Sequence, residues 1–194
     1  MSAATLIAFE GLNGVGKTTL ARAVAEILSL PCVATPPAAA AAARAVFDEA
    51  PFSQAALLFY LSWVKHVSDE VSAGRLGPVV LCDRYVASTR AYFTAAGLRS
   101  AEHLIHGLDI LPPTLTVLVT ADEPVRRKRL SSRPRRRSID LSTEDDDFRR
   151  TVLAVYRDCH PLYEADSTTC PAEPLARRTA ADLHAVLRAR TQRR

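Results

Sequence analysis

Gly11, Gly16, Lys17 and Thr18 hold the fixed positions of the pattern G-x-x-x-x-G-K-[ST], within Gly11-Leu12-Asn13-Gly14-Val15-Gly16-Lys17-Thr18. Glycines allow a tight turn and a close backbone approach, so the N–H groups of residues 13–18 can cradle a chain of phosphates. Lys17 can reach the β- and γ-phosphates, and the Thr18 hydroxyl can ligate Mg²⁺. Gly11, Asn13, Gly14, Val15, Gly16, Lys17, Thr18 and Thr19 are therefore the expected ATP-binding residues of the loop. A second pair stands at the end of the apolar run Val79-Val80-Leu81-Cys82. Asp83 there can hold a Mg²⁺ shell or orient an acceptor, which makes Thr18 and Asp83 the candidate metal ligands. Arg84 beside it can grip an acceptor phosphate in two-point fashion.

These groups need a scaffold that converges on one crevice. The apolar runs Thr5–Phe9, Pro31–Ala34, Pro78–Cys82 and Leu115–Thr120 read as strands. They are continuous rather than alternating, as in a parallel sheet covered on both faces. Helical periods lie between and after them, over Thr18–Leu28, Ala38–Phe47, Ser53–Ala73, Ser88–Ala96, Ala101–Leu108, Glu123–Leu130, Asp145–Cys159 and Pro174–Arg190. The order predicts a three-layer α/β domain spanning residues 1–194. The six-alanine run Ala38–Ala43 is expected to start a helix, with Pro36-Pro37 fixing the turn before it. In a parallel sheet the C-terminal strand ends share the crevice with the phosphate loop. The basic stretch from Arg126 to Arg137 follows the fourth strand, so it is expected to form a mobile lid, about 126–146, over the transferred group.

Composition bounds the partners. Of 25 basic residues all but Lys17, Lys65 and Lys128 are arginine, and the formal charge is +4. Arginine suits phosphate handling, while no aromatic-basic interleaving points to nucleic acid. Cys32, Cys82, Cys159 and Cys170 show no CxxC or zinc spacing. Cys32 and Cys82 fall in expected core strands, which fits free thiols in a reducing cytosol. No leader-like segment and no run long enough to span a membrane is present, so a cytoplasmic protein is expected. The five histidines show no ligand or triad arrangement.

Val79-Val80-Leu81-Cys82-Asp83-Arg84-Tyr85 followed by Ser88 and Tyr92, together with the loop, resembles the thymidylate kinase family of P-loop nucleoside monophosphate kinases. Phe9-Glu10-Gly11 is similar to the family's start, and Leu57-Leu58-Phe59 to its acceptor-site helix. Glu164-Ala165-Asp166-Ser167 looks like the late turn that cups adenine, which adds Asp166 to the ATP set. The resemblance implies a P-loop NTPase fold with a five-stranded parallel sheet flanked by helices and a basic lid. It also implies transfer of the ATP γ-phosphate to a pyrimidine nucleotide, dTMP first, with Mg²⁺ as cofactor and a homodimer as assembly. Gly14 stands where some members carry arginine, so the resemblance places the catalytic guanidinium in the lid: one or two of Arg133, Arg135, Arg136 and Arg137, with Arg133 and Arg137 put first, beside Lys17, Asp83 and Arg84. Asn13 replaces a usual acid, Trp63 an arginine that reads thymine, and Phe93 a glutamine.

Thr35-Pro36-Pro37 and the segment from Arg44 to Pro51 are similar to the mitochondrial UMP–CMP kinase branch. Arg44, Phe59, Trp63, Arg84, Ser88, Tyr92 and Phe93 form the expected acceptor site. Two alternatives stand beside dTMP: another acceptor (CMP, UMP, dUMP, a modified nucleoside or a natural product) on the same fold, or a catalytically silent nucleotide-binding switch.

Overall fold

Strand β1 (Thr5–Glu10) is buried from Leu6 onward, as a strand covered on both faces must be. In the computed structural model, which describes residues 4–47, 49–133 and 138–192, β1 is the centre of an all-parallel sheet. Its neighbours are β3 (Val79–Asp83) and β4 (Leu115–Thr120), with β2 (Cys32–Ala34) and β5 (Leu162–Asp166) outside them. Side chains alternate across each strand. Ile7, Phe9, Leu81, Val117 and Val119 pack against Leu20 and Val24 of helix α1 (Lys17–Leu28) on one face. Leu6, Ala8, Val80 and Cys82 meet Val64, Val67 and Val71 of a long helix on the other. In register, Phe9 pairs with Asp83, Glu10 with Leu118 and Thr120 with Asp166, so the carboxyl ends of these strands finish together.

The helices between follow the expected order, with two differences. A 3₁₀ turn (Ala38–Ala40) and a five-residue helix α2 (Ala41–Ala45) replace the single helix expected over 38–47. Alanine favours helix, but so short a segment is marginal without an apolar face to bury, and no α2 residue is buried. Helix α3 (Gln54–Ser72) starts where Ser53 accepts from the Ala56 N–H at 3.2 Å. Helices α4 (Val86–Ala95), α5 (Ser100–Gly107) and α6 (Glu123–Ser131) lie close to their expected bounds. A helix that sequence reading omitted, α7 (Ser138–Ser142), precedes α8 (Asp146–Arg157), whose start Asp145 caps by accepting from the Phe148 N–H at 2.7 Å. Residues 162–166 are strand, so the stretch expected as a late turn begins its turn only at Ser167. Helix α9 (Ala172–Gln192) closes the described chain. Cys32, expected in the core, is half-buried because β2 is an edge strand, whereas Cys82 of β3 is fully buried. All four cysteines are free thiols.

Candidate active site

The loop between β1 and α1 bends through glycines because nothing larger fits. Gly11 has φ +140°, and a Cβ there would lie 2.3 Å from the Val119 carbonyl oxygen of β4. Gly14 has φ +88°, and its Cβ would lie 2.9 Å from Leu130 Cγ and 3.0 Å from the Arg126 carbonyl oxygen. An arginine at position 14 therefore has no room against α6. The turn delivers Lys17 to the first position of α1, 5% exposed, where Nζ donates to the Leu12 carbonyl at 2.6 Å. Burial pushes this ammonium well below the usual lysine range. The Arg84 charge adds to that shift, and the Asp83 and Glu10 carboxylates oppose it. A polyanion in the cradle would restore the charge.

Across the cleft, β3 ends at Asp83. The Thr18 hydroxyl donates to its Oδ2 at 2.5 Å, while its Oδ1 is buried without a hydrogen-bond partner. An unpaired carboxylate oxygen beside a hydroxyl is a donor set that suits a hard cation. Among the described residues no group of three His, Cys, Asp or Glu forms a metal cluster. The residues present thus fit a cation whose other ligands come from phosphates and water.

Arg84 follows with φ +68°, a left-handed conformation that costs a non-glycine residue about 1–3 kcal/mol. The surroundings fix it. Its N–H donates to the Phe9 carbonyl at 3.0 Å, and its carbonyl accepts from Thr35 Oγ1 at 2.8 Å and Cys82 Sγ at 2.9 Å. This backbone turns the guanidinium toward the loop. There it donates to Ser88 Oγ at 2.9 Å and to Asn13 Oδ1, and it lies over the Tyr92 ring at 5.7 Å. Ser88 in turn donates to Glu10, whose other oxygen accepts from the N–H groups of Tyr85 and Ser88 at 2.9 and 3.2 Å. Burial pushes the Glu10 carboxyl up to about 7, against the pull of these donors and of Arg84. The Tyr156 hydroxyl of α8 sits 3.0 Å from Ser88 Oγ and 3.3 Å from the Gly11 carbonyl, which ties the two halves of the cleft.

Between these halves lies a cavity of about 250 Å³. Its lining includes Asn13, Gly14, Gly16, Lys17, Thr18 and Thr19 from the loop side, and Arg44, Asp83, Arg84, Ser88, Tyr92 and Phe93 from the other. Tyr60 and Thr89 also line it, and sequence reading missed both. Phe59 and Trp63 lie outside the lining. Phe59 packs against the Phe47 and Tyr60 rings at 5.1 and 5.3 Å, and Trp63 meets the His66 ring edge-on at 5.9 Å. On α3 one residue is a rotation of about 100°, so Tyr60 faces the cavity and Phe59 does not.

The basic stretch divides in two. Arg126, expected at the start of a mobile lid, is fully buried and structural. It donates to both Glu123 oxygens at 2.7 Å, to the Asn13 carbonyl at 3.1 Å and to the Thr143 hydroxyl and carbonyl at 3.0 and 2.9 Å. Burial opposes ionisation of Glu123, yet hydrogen bonds from Arg126 and Arg127 hold its carboxyl at about 2. Arg129 donates to Ser167 Oγ and to its carbonyl, both at 2.8 Å, and Ser167 Oγ lies 2.7 Å from the Val15 carbonyl. Asp166 does not line the cavity; its Oδ1 accepts from the Thr168 N–H and hydroxyl at 2.9 and 2.6 Å at the end of β5. Arg133 reaches the cavity lining. Arg135, Arg136 and Arg137 lie outside the described residues. Glu10, Tyr156 and Asp140 were also missed; the one sequence signal was an acid, Glu10, closing an otherwise apolar strand.

A phosphate-cradling loop, an acid with an unpaired oxygen and a half-buried arginine around one cavity can join two phosphorylated molecules. The chain matches the thymidylate kinase family over residues 9–170. It is 33% identical over 159 residues to a probable thymidylate kinase of Pyrobaculum calidifontis, covering 77% of this chain and 79% of the relative. A thymidylate kinase of Staphylococcus epidermidis is 28% identical over 167 residues, covering 79% and 82%. Among solved structures, thymidylate kinase from Ehrlichia chaffeensis superimposes with a TM-score of 0.65 at 19% identity, covering 96% of this chain and 99% of that one. Deoxyadenosine kinase from M. mycoides does so with a TM-score of 0.69 at 11% identity, covering 93% and 100%. At such identities these two structures speak for the fold alone.

Proposed function

The chain belongs to the thymidylate kinase family, and on that premise we propose that it transfers the γ-phosphoryl group of ATP to a pyrimidine nucleoside monophosphate, dTMP first. One observation carries the reading: Lys17 and Thr18 line the same cavity as Asp83 and Arg84. A phosphate oxygen of the acceptor forms a bond to the γ-phosphorus as the bond to the β–γ bridging oxygen breaks, and ADP leaves. Such transfer needs positioning and charge stabilisation more than covalent chemistry. The N–H groups of residues 13–18 hold the donor phosphates, and Lys17 exchanges the Leu12 carbonyl for their charge. Arg84, with Arg44 beside it in the lining, anchors the acceptor phosphate. Tyr60, Tyr92 and Phe93 give the acceptor flat walls, and Ser88 holds Arg84. Arg133, with Arg137 from the following segment, supplies guanidinium to the charge developing on the transferred group.

Thr18 and Asp83 would hold Mg²⁺. When bound, the ion neutralises phosphate charge. A homodimer follows from the family resemblance. A cytosolic setting is supported by the four free thiols, and no helix among the described residues is long and apolar enough to cross a membrane. The test is ADP release coupled to NADH oxidation, with dTMP, dUMP, CMP, UMP and unphosphorylated nucleosides as acceptors. The reading expects turnover on dTMP and none on nucleosides; turnover on nucleosides alone would overturn it.

A further inference from the structure

Asn13 stands between two groups of opposite demand. Arg84 can only donate, and the Asp140 oxygen that Asn13 meets accepts. The Asn13 oxygen takes the Arg84 guanidinium, and its Nδ2 donates to Asp140 Oδ1 at 2.6 Å. Asp140 belongs to α7, is fully buried, and has Arg133 Nη1 3.8 Å from the same oxygen. An uncharged amide satisfies both neighbours at once, oxygen to the donor and NH₂ to the acceptor, and it does so in a single orientation. If the amide turned over, its NH₂ would face the guanidinium and its oxygen the carboxylate, and both of these contacts would be lost. The acid opposite therefore sets which end of residue 13 meets Arg84.

We propose that Asp140 is a positioning residue for the acceptor-phosphate grip: it orients the Asn13 amide, so that Asn13 adds its hold on Arg84 to that of Ser88 only while α7 is docked on the loop. The inference rests on the proposed phosphoryl transfer, because it assigns Arg84 to the acceptor. It ties α7 to the acceptor side through one side chain. It also gives a reason for an amide at this position: a carboxylate at 13 suits Arg84 but repels Asp140.

The test is a four-member cycle of wild type, Asn13→Asp, Asp140→Asn and Asn13→Asp/Asp140→Asn. Acceptor KM, ATP KM, kcat and thermal midpoint are read on each. Asn13→Asp puts two carboxylates face to face and is expected to raise acceptor KM at least about tenfold, the scale of a lost hydrogen bond to a charged group, with ATP KM within about twofold. The double variant exchanges acid and amide, restores one donor and one acceptor at each contact, and is expected to recover most of the loss. Should Asn13→Asp fail to fold, Asp140→Ala leaves the Asn13 donor without that partner and is expected to raise acceptor KM selectively. A double variant whose loss equals the product of the single losses overturns the proposal. So does Asn13→Asp or Asp140→Ala with wild-type acceptor KM. A wild type that phosphorylates no nucleotide sinks the function reading instead. The pair is then read from the thermal midpoints, where rescue supports the orientation and additivity refutes it.

Discussion

Replacing Glu10 by glutamine should make the protein more stable in alkali while weakening its grip on the acceptor. Glu10 is fully buried, and its bonded partners are the N–H groups of Tyr85 and Ser88 and the Ser88 hydroxyl, with no direct salt bridge among the described residues. Burial lifts its carboxyl from 4.5 to about 7. A group with a raised folded-state value adds stability that is fully present below about pH 4.5 and is lost as pH rises through about 7. The loss on ionisation is about 3 kcal/mol, from about 1.4 kcal/mol per tenfold in the protonation equilibrium. Glutamine keeps the shape and the oxygen for the two backbone donors, and does not titrate. Glu10→Gln should match wild type near pH 5 and exceed it by about 2–3 kcal/mol at pH 8.5, a rise in midpoint of about 4–12 °C for a chain of this size. Its Nε2 would donate to Ser88 Oγ and compete with Arg84 for that oxygen, so acceptor KM should rise about tenfold with ATP KM unmoved. Thermal and urea unfolding at pH 5, 7 and 8.5, with kinetics at pH 7.5, read both effects. A variant less stable than wild type by the same amount at every pH would refute the reasoning, because Glu10 would then be ionised throughout and stabilising.

Gly14→Ala forces a side chain at φ +88° against Leu130 and the Arg126 carbonyl; a loss of about 2 kcal/mol and of ATP binding by calorimetry is expected, and wild-type ATP affinity would contradict it. Arg126→Met should cost about 1–3 kcal/mol in urea unfolding, since it takes a buried donor from the carbonyls of Asn13 and Thr143 and leaves Glu123 to Arg127 and Arg149; a cost well below about 1 kcal/mol would mean that Arg126 is a surface arginine of the lid after all. Tyr60→Leu should raise acceptor KM about fivefold by removing an aromatic wall, while Trp63→Leu leaves it within about twofold. The reverse order would put Trp63 in the cavity.

What was legible in sequence was what is contiguous. The loop, its strand and helix, and Asp83-Arg84 are each carried by a few neighbouring residues whose chemistry admits few other arrangements. The central strands were legible because burial on both faces leaves an unbroken apolar run. That signal fails at the sheet edge. β5 reads Leu-Tyr-Glu-Ala-Asp and is only partly covered, so it passed for a turn. Cys32 looked like core for the same reason. The contacts that join the cleft are long-range: Asn13 meets Asp140 127 residues away, and Tyr156 meets Gly11 145 residues away. No local pattern encodes such partners. Arg126 looked like its solvated neighbours because a charge run has the same composition whether or not one member turns inward. Phe59 and Tyr60 are both aromatic, and only the rotation of α3 decides which of them faces the cavity.

The central claim is that one cavity brings an ATP tail to a phosphate held by Arg84. It is tested most directly by incubating the protein with Mg²⁺, γ-labelled ATP and dTMP and locating the label. The account predicts label in the terminal phosphate of the nucleoside diphosphate, falling about 10²–10³-fold in rate with Lys17→Ala. Label that remains in ATP or emerges only as inorganic phosphate, or a Lys17→Ala protein with wild-type turnover, would contradict it.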